Sequence, residues 1–223
     1  MAAGASAAPR QTGSIGFTTG IPGAPTGITA HFDFVNPADP NAKPYSVAQM
    51  IVTGPEGTAT DTTVPPQCHA TDPEIYALGP DACPADSRIG HGLAIVDNGP
   101  GANPREGRTP LTHFNNQDEI VGIGVYEQIP AIKSIDRTKL EGTRSTSTFP
   151  ATPGFPPPEP YTPVKSLDIT IDTYVRADGQ AYKRTPPACP KVGYWTFTTD
   201  FVYRDGTTET VVSQSPCVKK ANA

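Results

Sequence analysis

The sequence predicts an all-β fold: an antiparallel β-sandwich, jelly-roll-like, of about ten short strands, with two disulfides and at most one short helical turn. Proline and glycine number 27 and 21 among 223 residues, roughly a fifth of the chain where about 12% is usual. This composition favours short strands joined by fixed turns and disfavours helices. Alternating apolar and polar residues and an even number of cysteines are the other two observations that predict this fold.

Alternation is clearest in residues 26–35, 166–175 and 194–203, which we predict to be half-buried strands. The residues predicted to face inward are Ile28, Ala30, Phe32, Phe34, Leu167, Ile169, Ile171, Val175, Trp195, Phe197, Phe201 and Tyr203. Asp-Gly pairs at 178–179 and 205–206 follow two of these strands and indicate hairpin turns.

Weaker alternation predicts further strands in the remaining chain. They lie in 13–20, 45–54, 57–64, 91–97, 111–115, 119–128, 131–135 and 146–149. The second and third of these are predicted to pair in a hairpin across residues 55–57. Residues 72–78 are predicted to form the one helical turn, with Asp72 as its N-cap and Pro73 at its first position.

The domain prediction is a flexible N-terminal segment over 1–12, a single β domain over 13–217, and a frayed tail over 218–223. Residues 149–163 are dense in proline and are expected to be extended and stiff. The alternative to a single domain is that the chain divides at this tract into two small β-sandwich domains.

Four cysteines, Cys68, Cys83, Cys189 and Cys217, predict two disulfides in an oxidising compartment. Pairing between neighbours is the simplest of three connectivities. A zinc site is disfavoured because no C-x-x-C spacing is present. We therefore expect a secreted, extracellular protein.

The charge balance argues against several classes of partner. The chain has 17 basic and 22 acidic residues, a net charge of −5, and no basic stripe. A nucleic-acid partner is therefore not expected. Membrane insertion is not expected either, because no apolar run approaches the length that spans a bilayer.

Three histidines, His69, His91 and His113, are spaced evenly by 22 residues. With Asp72 or Asp118 they are the candidate ligands of a zinc or copper ion, if equal strand lengths bring them together. Spacing across turn-rich loops says little about distance, so our main prediction is that there is no cofactor. A structural calcium near Asp118 is a further alternative.

Other catalytic constellations are weak, and the sequence identifies no catalytic residue. Ser87 lies four residues before His91, but no G-x-S-x-G motif is present. Asp168 and Asp172 share a predicted strand face, yet strand rise separates them by about 13 Å. Because Trp195 is expected in the core, Tyr194 on the opposite face is the better candidate for a ligand-stacking platform.

The run Cys83-Pro84-Ala85-Asp86-Ser87-Arg88-Ile89-Gly90 resembles a C-P-x-x-S-x-I-G motif of secreted and surface β-rich proteins from high-GC Gram-positive bacteria. The later segments "PEPYTPVKSLDITI" and "TPPACP" are similar to elements that follow in those proteins. The resemblance covers about residues 68–217. It implies an extracellular, disulfide-stapled β domain and carries over no catalytic residue.

The predicted function is a secreted, non-catalytic binding or assembly role at the cell envelope or extracellular surface. A glycan or another envelope component is the expected partner, and a homo-oligomer is an alternative. The other functional alternatives are a secreted enzyme that acts on polysaccharide or through a histidine-bound metal, and a self-assembling surface or fibre subunit.

Overall fold

The computed structural model describes residues 8–151 and 161–218. Three predictions fall wholly or partly outside these ranges: the flexible N-terminal segment, the proline-rich tract and the frayed tail. Within the described part, the first strand begins at Gln11, inside the segment predicted to be flexible.

The described residues form thirteen strands, one α-helix and two 3-10 turns. The strands are β1 (Gln11–Phe17), β2 (Ile28–Phe34), β3 (Val47–Thr53), β4 (Ala59–Thr60), β5 (Arg88–Asp97), β6 (Glu106–Asn116), β7 (Glu119–Val125), β8 (Lys133–Glu141), β9 (Arg144–Thr148), β10 (Val164–Ile171), β11 (Lys183–Arg184), β12 (Tyr194–Tyr203) and β13 (Thr208–Pro216). Helix α1 is Asp72–Leu78, and the 3-10 turns are Gly79–Ala82 and Ala85–Ser87.

Eleven strands form one antiparallel sheet in the order β1-β2-β10-β5-β6-β7-β8-β9-β3-β12-β13. The all-β prediction is confirmed, but the architecture is closer to a barrel than to a sandwich because the sheet curls until its edge strands meet. Strands from either side of the proline-rich tract intermix, since β10 lies between β2 and β5.

Two serine side chains join the edge strands β1 and β13. The amide nitrogen of Ile15 donates to Ser213 Oγ at 3.2 Å, and that of Phe17 donates to Ser215 Oγ at 3.0 Å. Both serines are buried. Gly16 allows this approach, because a Cβ there would lie 3.3 Å from Ser215 Oγ. The barrel is therefore closed by side chains at a seam, here the contact between β1 and β13.

Aromatic residues fill the side of the barrel beside the seam. The rings of Trp195 and Phe17 pack edge to face with their centroids 5.4 Å apart. The rings of Phe32 and Phe201 pack in the same way, with 5.1 Å between centroids. Trp195 is 2% exposed, so the prediction that it belongs to the core is confirmed. Its indole nitrogen donates to the carbonyl of Ala188.

The cysteine-rich stretch packs on the outside of the barrel. The Cys68–Cys83 disulfide and Ile75 of α1 cover Val121 and Ile123 of β7, which are fully buried. Strand β7 therefore has protein on both faces, which explains its nearly continuous apolar sequence.

The predicted N-cap of α1 was wrong by one residue. The cap is Thr71, whose amide nitrogen donates to the Glu74 carboxylate at 2.8 Å. Asp72 instead accepts a hydrogen bond from Arg137 at 2.7 Å, which ties the helix to β8.

Residues 172–193 fold over one end of the barrel. Tyr182 is fully buried against Ile89 and Ile171, and β11 pairs with β4. The predicted hairpin between 45–54 and 57–64 was therefore wrong: β4 leaves the barrel to pair with β11. Val175, predicted to face inward, is 46% exposed because β10 ends at Ile171.

The second disulfide, Cys189–Cys217, ties this end to the last strand. Each bridge joins two cysteines that follow one another in the order of the four cysteines along the chain. This is the simplest of the three connectivities that the sequence allowed.

We expect Ser213→Ala and Ser215→Ala each to lower the free energy of unfolding by about 1–3 kcal/mol, because each leaves a buried amide of β1 without an acceptor. Urea unfolding measures the change. Ser14→Ala, at an exposed position of β1, is the control and should change stability by less than about 0.5 kcal/mol. Equal stability of all three variants would contradict closure by these serines.

Candidate functional site: the barrel cavity

A cavity of about 290 Å³ lies inside the barrel, bounded on one side by Phe34 and Phe197 of the aromatic cluster. Its lining is mainly apolar and includes Ile28, Met50, Leu111, Ile120, Val164 and Ile169. The cavity reaches solvent beside Ile129 and Ile132, which also line it and are 39% and 44% exposed.

Two glycines on β7 leave room for side chains of β8 that border the cavity. A Cβ on Gly122 would lie 2.2 Å from a carboxylate oxygen of Asp136, and one on Gly124 would lie 2.4 Å from Ser134 Oγ. The inward face of β7 is therefore bare at two successive positions, and polar side chains of β8 extend across it.

Asp136 lies deep in the barrel and borders the cavity. Its nearest side-chain donor is Thr138 Oγ1, at a long 3.4 Å, while that hydroxyl lies 2.7 Å from Ser147 Oγ. Burial raises the pKa of Asp136 from 3.8 to about 6, and the Thr138 contact offsets this only in part. The residue as a whole keeps intermediate solvent accessibility, since it borders the cavity.

His113 faces the cavity from β6, one strand beyond Gly122. In the strand register Gly122 is opposite both His113 and Asp136, so the Asp136 carboxylate covers this glycine from one side and His113 lies on the other. His113 is 5% exposed, and its Nδ1 has no hydrogen-bond partner. Burial, followed by the nearby His91, lowers the pKa of His113 to about 4, so its ring is neutral at physiological pH.

Lys183 borders the cavity at the end capped by β4 and β11. Its ammonium donates to Thr60 Oγ1 and lies 5.9 Å from the centre of the Tyr182 ring. Burial lowers the pKa of Lys183 to about 8.

The predicted metal ligands do not come together. His113 faces the cavity, whereas His91 on β5 faces outward and His69 is exposed beside the disulfide-stapled loop. Asp72 is engaged by Arg137, and Asp118 is exposed in the β6–β7 turn with φ 53°. Successive side chains of a strand point to opposite faces of the sheet. Although β5 and β6 are adjacent, His91 and His113 therefore lie on opposite faces. Within the described ranges, no group of three or more His, Cys, Asp or Glu side chains could hold a metal ion.

The other candidate residues lie outside the cavity. Asp168 accepts from exposed His31 at 2.7 Å, and Asp172 lies 3.8 Å from His91, so both carboxylates are on the outer surface. Ser87 Oγ donates to the carbonyl of Pro84, which is a structural turn contact. Tyr194 is half-buried at the start of β12, and its role as a ligand platform stays a prediction.

Sequence reasoning missed Asp136. Only 131–135 was predicted as a strand there, and Asp136 was not among the candidate residues. The available signal was "GIG" at 122–124, which leaves alternate positions of one face without side chains.

Comparisons with known proteins gave no match, whether to a family model, to a curated protein or to a solved structure. The resemblance to surface proteins of Gram-positive bacteria therefore stays a prediction. No helix in the described part of the chain has the length and apolar character needed to cross a membrane.

We expect Asp136→Asn to stabilise the protein at about pH 7 by about 2 kcal/mol, and to leave stability nearly unchanged at about pH 4. Because the pKa of Asp136 is raised to about 6, the folded protein holds a proton that the unfolded chain has lost between about pH 4 and 6. The free energy of unfolding of the wild-type protein therefore decreases as the pH rises through this window. The Asp136→Asn variant does not show this decrease, because its amide does not titrate.

Urea unfolding at both pH values measures the effect. The contribution of His113 is common to both proteins and cancels in the difference. Asp86→Asn, at an exposed carboxylate outside the barrel, should change little at either pH. A stability gain for Asp136→Asn that is the same at pH 4 and pH 7 would show that ionisation of Asp136 is not its cause.

Proposed function

We propose that this protein is an extracellular binding protein that holds one small, largely apolar molecule inside its barrel and acts at the cell envelope or cell surface. The observation that carries the proposal is the cavity of about 290 Å³, whose surface is mainly apolar and which reaches solvent beside Ile129 and Ile132.

Ligand sites are typically concave, mostly apolar and equipped with a small number of placed polar groups. Some β-barrels hold a single small ligand in this way. The cavity has this character, because Asp136, His113 and Lys183 are the ionisable side chains deep within a mainly apolar lining. A polysaccharide ligand fits less well, since its hydroxyls would face apolar side chains.

The two disulfides support the extracellular part of the proposal, because such bridges persist in oxidising compartments. The Cys68–Cys83 bridge also supports the site itself: the loop that it closes packs on the outer face of β7, behind the glycines that Ser134 and Asp136 cover on the cavity side.

We expect N-phenylnaphthylamine, an uncharged fluorophore that brightens in apolar surroundings, to bind in the cavity with a stoichiometry of one. Ala94 lines the cavity on β5, so Ala94→Phe should fill part of it and weaken binding by about tenfold or more, equivalent to about 1.4 kcal/mol. Fluorescence titration of the purified protein measures the affinity.

The matched control is Leu93→Phe, which adds an aromatic ring on the outward face of the same strand. It should leave the affinity unchanged. Circular dichroism and the unfolding midpoint establish that both variants are folded. Equal binding by a folded Ala94→Phe variant would place the probe on the surface and reject the proposal.

A further inference from the structure

We propose that the ligand carries a primary ammonium group, and that this group binds to Asp136, whose carboxylate covers Gly122, and to His113 on the other side of that glycine. The ligand class is then an aliphatic primary amine, whose chain occupies the apolar part of the cavity. This inference rests on the proposed function, because it concerns the chemistry of the same cavity.

The first support is the lack of a cation for Asp136. Among residues 8–151 and 161–218, no ion pair joins this carboxylate to a lysine or arginine, and its one side-chain contact is long. A buried charge without a partner is unfavourable, whereas a buried charge that is paired and hydrogen-bonded is tolerated. Other carboxylates of this protein show the usual solution, such as Asp97 with Arg105 at 2.9 Å.

The cations nearest to the cavity are engaged elsewhere. Lys183 donates to Thr60 at the capped end, and Lys133 directs its ammonium outward to the carbonyl of Tyr76 at 2.9 Å. Arg137, the chain neighbour of Asp136, faces the outside and pairs with Asp72 and Glu119. Arg144 also borders the cavity but is exposed at the start of β9, so Asp136 is the charged group deep in the cavity that no cation of the described residues pairs.

The second support is His113. Its Nδ1 is buried without a partner and lies on the other side of the same glycine. In the neutral imidazole one ring nitrogen accepts a hydrogen bond. An ammonium group between the two side chains can donate to the Asp136 carboxylate and to this nitrogen at once, since it has three N–H donors.

The alternative head groups match the site less well. A ligand carboxylate would bring a second negative charge next to Asp136. A hydroxyl can donate to the carboxylate but leaves its charge unpaired. Because burial raises the pKa of Asp136 to about 6, its charge is present above that pH and absent below it, so amine binding should depend on pH while alcohol binding should not.

Lys183 also borders the cavity, and because its pKa is lowered to about 8 it gains charge as the pH falls; comparison with Asp136→Asn separates this effect from that of Asp136. The groups that face Asp136 directly add no further dependence in this range. Opposite it on β7 is Gly122, and beyond that is His113, whose pKa is lowered to about 4. Towards β9 its neighbours are the hydroxyls of Thr138 and Ser147. An alkyl ammonium resembles that of lysine, with a pKa of about 10.4, and stays charged throughout.

The test is competition against bound N-phenylnaphthylamine by octylamine, octanol and octanoic acid, which share one chain length. At about pH 8 we expect octylamine to bind at least about tenfold more tightly than octanol, in line with the strength of a hydrogen bond to a charged group. Octanoic acid should bind most weakly. At about pH 5 the advantage of the amine over the alcohol should fall by about tenfold.

Asp136→Asn should abolish the preference for octylamine at pH 8 while octanol binds as before, and Asp86→Asn should keep the wild-type preference. The pH series on the wild-type protein tests the inference without any variant. Equal binding of amine and alcohol, or a preference for the acid, would overturn the ammonium inference and leave the proposed function standing. If neither the fluorophore nor any of the three compounds binds, both fail.

Discussion

Ser213 and Ser215 accept hydrogen bonds from the amides of Ile15 and Phe17, and these two contacts join the edges of an eleven-stranded sheet. An open sheet of this length would present two edges of unpaired backbone groups, which favour association with other chains. Closure removes those edges and encloses an interior. The aromatic core, the cavity and the burial of its polar groups all depend on this contact.

One part of the barrel interior is filled by side chains, and another part is left open as the cavity. Beside the seam it is filled by aromatic rings, whereas beside β7 the glycines Gly122 and Gly124 leave room for side chains of β8. Glycine weakens a strand by roughly 0.5–1 kcal/mol relative to alanine. Asp136 and His113 lie where this space was left, buried without a full set of partners. The polarity of the cavity and the stability of the fold therefore depend on the same side chains.

Much of the local structure was predictable from short-range patterns. Alternation placed Phe32 and Trp195 inward, and the Asp-Gly pair at 205–206 marked the hairpin between β12 and β13. These predictions succeeded because turn chemistry and the two-residue period of a strand act over a few residues. The hairpin predicted across 55–57 failed because the pairing of β4 with β11 depends on residues more than 100 positions away.

By itself the sequence determined an all-β chain with two disulfides and one short helical turn, because composition, turn pairs and the helix-start signal act locally. It left three disulfide connectivities open, of which the structure has the pairing of neighbours. Only the tertiary structure decided that the sheet closes into a barrel, since closure depends on how far eleven strands curl. It also decided that His113 faces the cavity while His91 faces outward. The sequence also did not decide whether Asp136 points into the barrel or out of it. Strands β7 and β8 are covered by protein on both faces, so the alternation of apolar residues does not distinguish the inner face from the outer one.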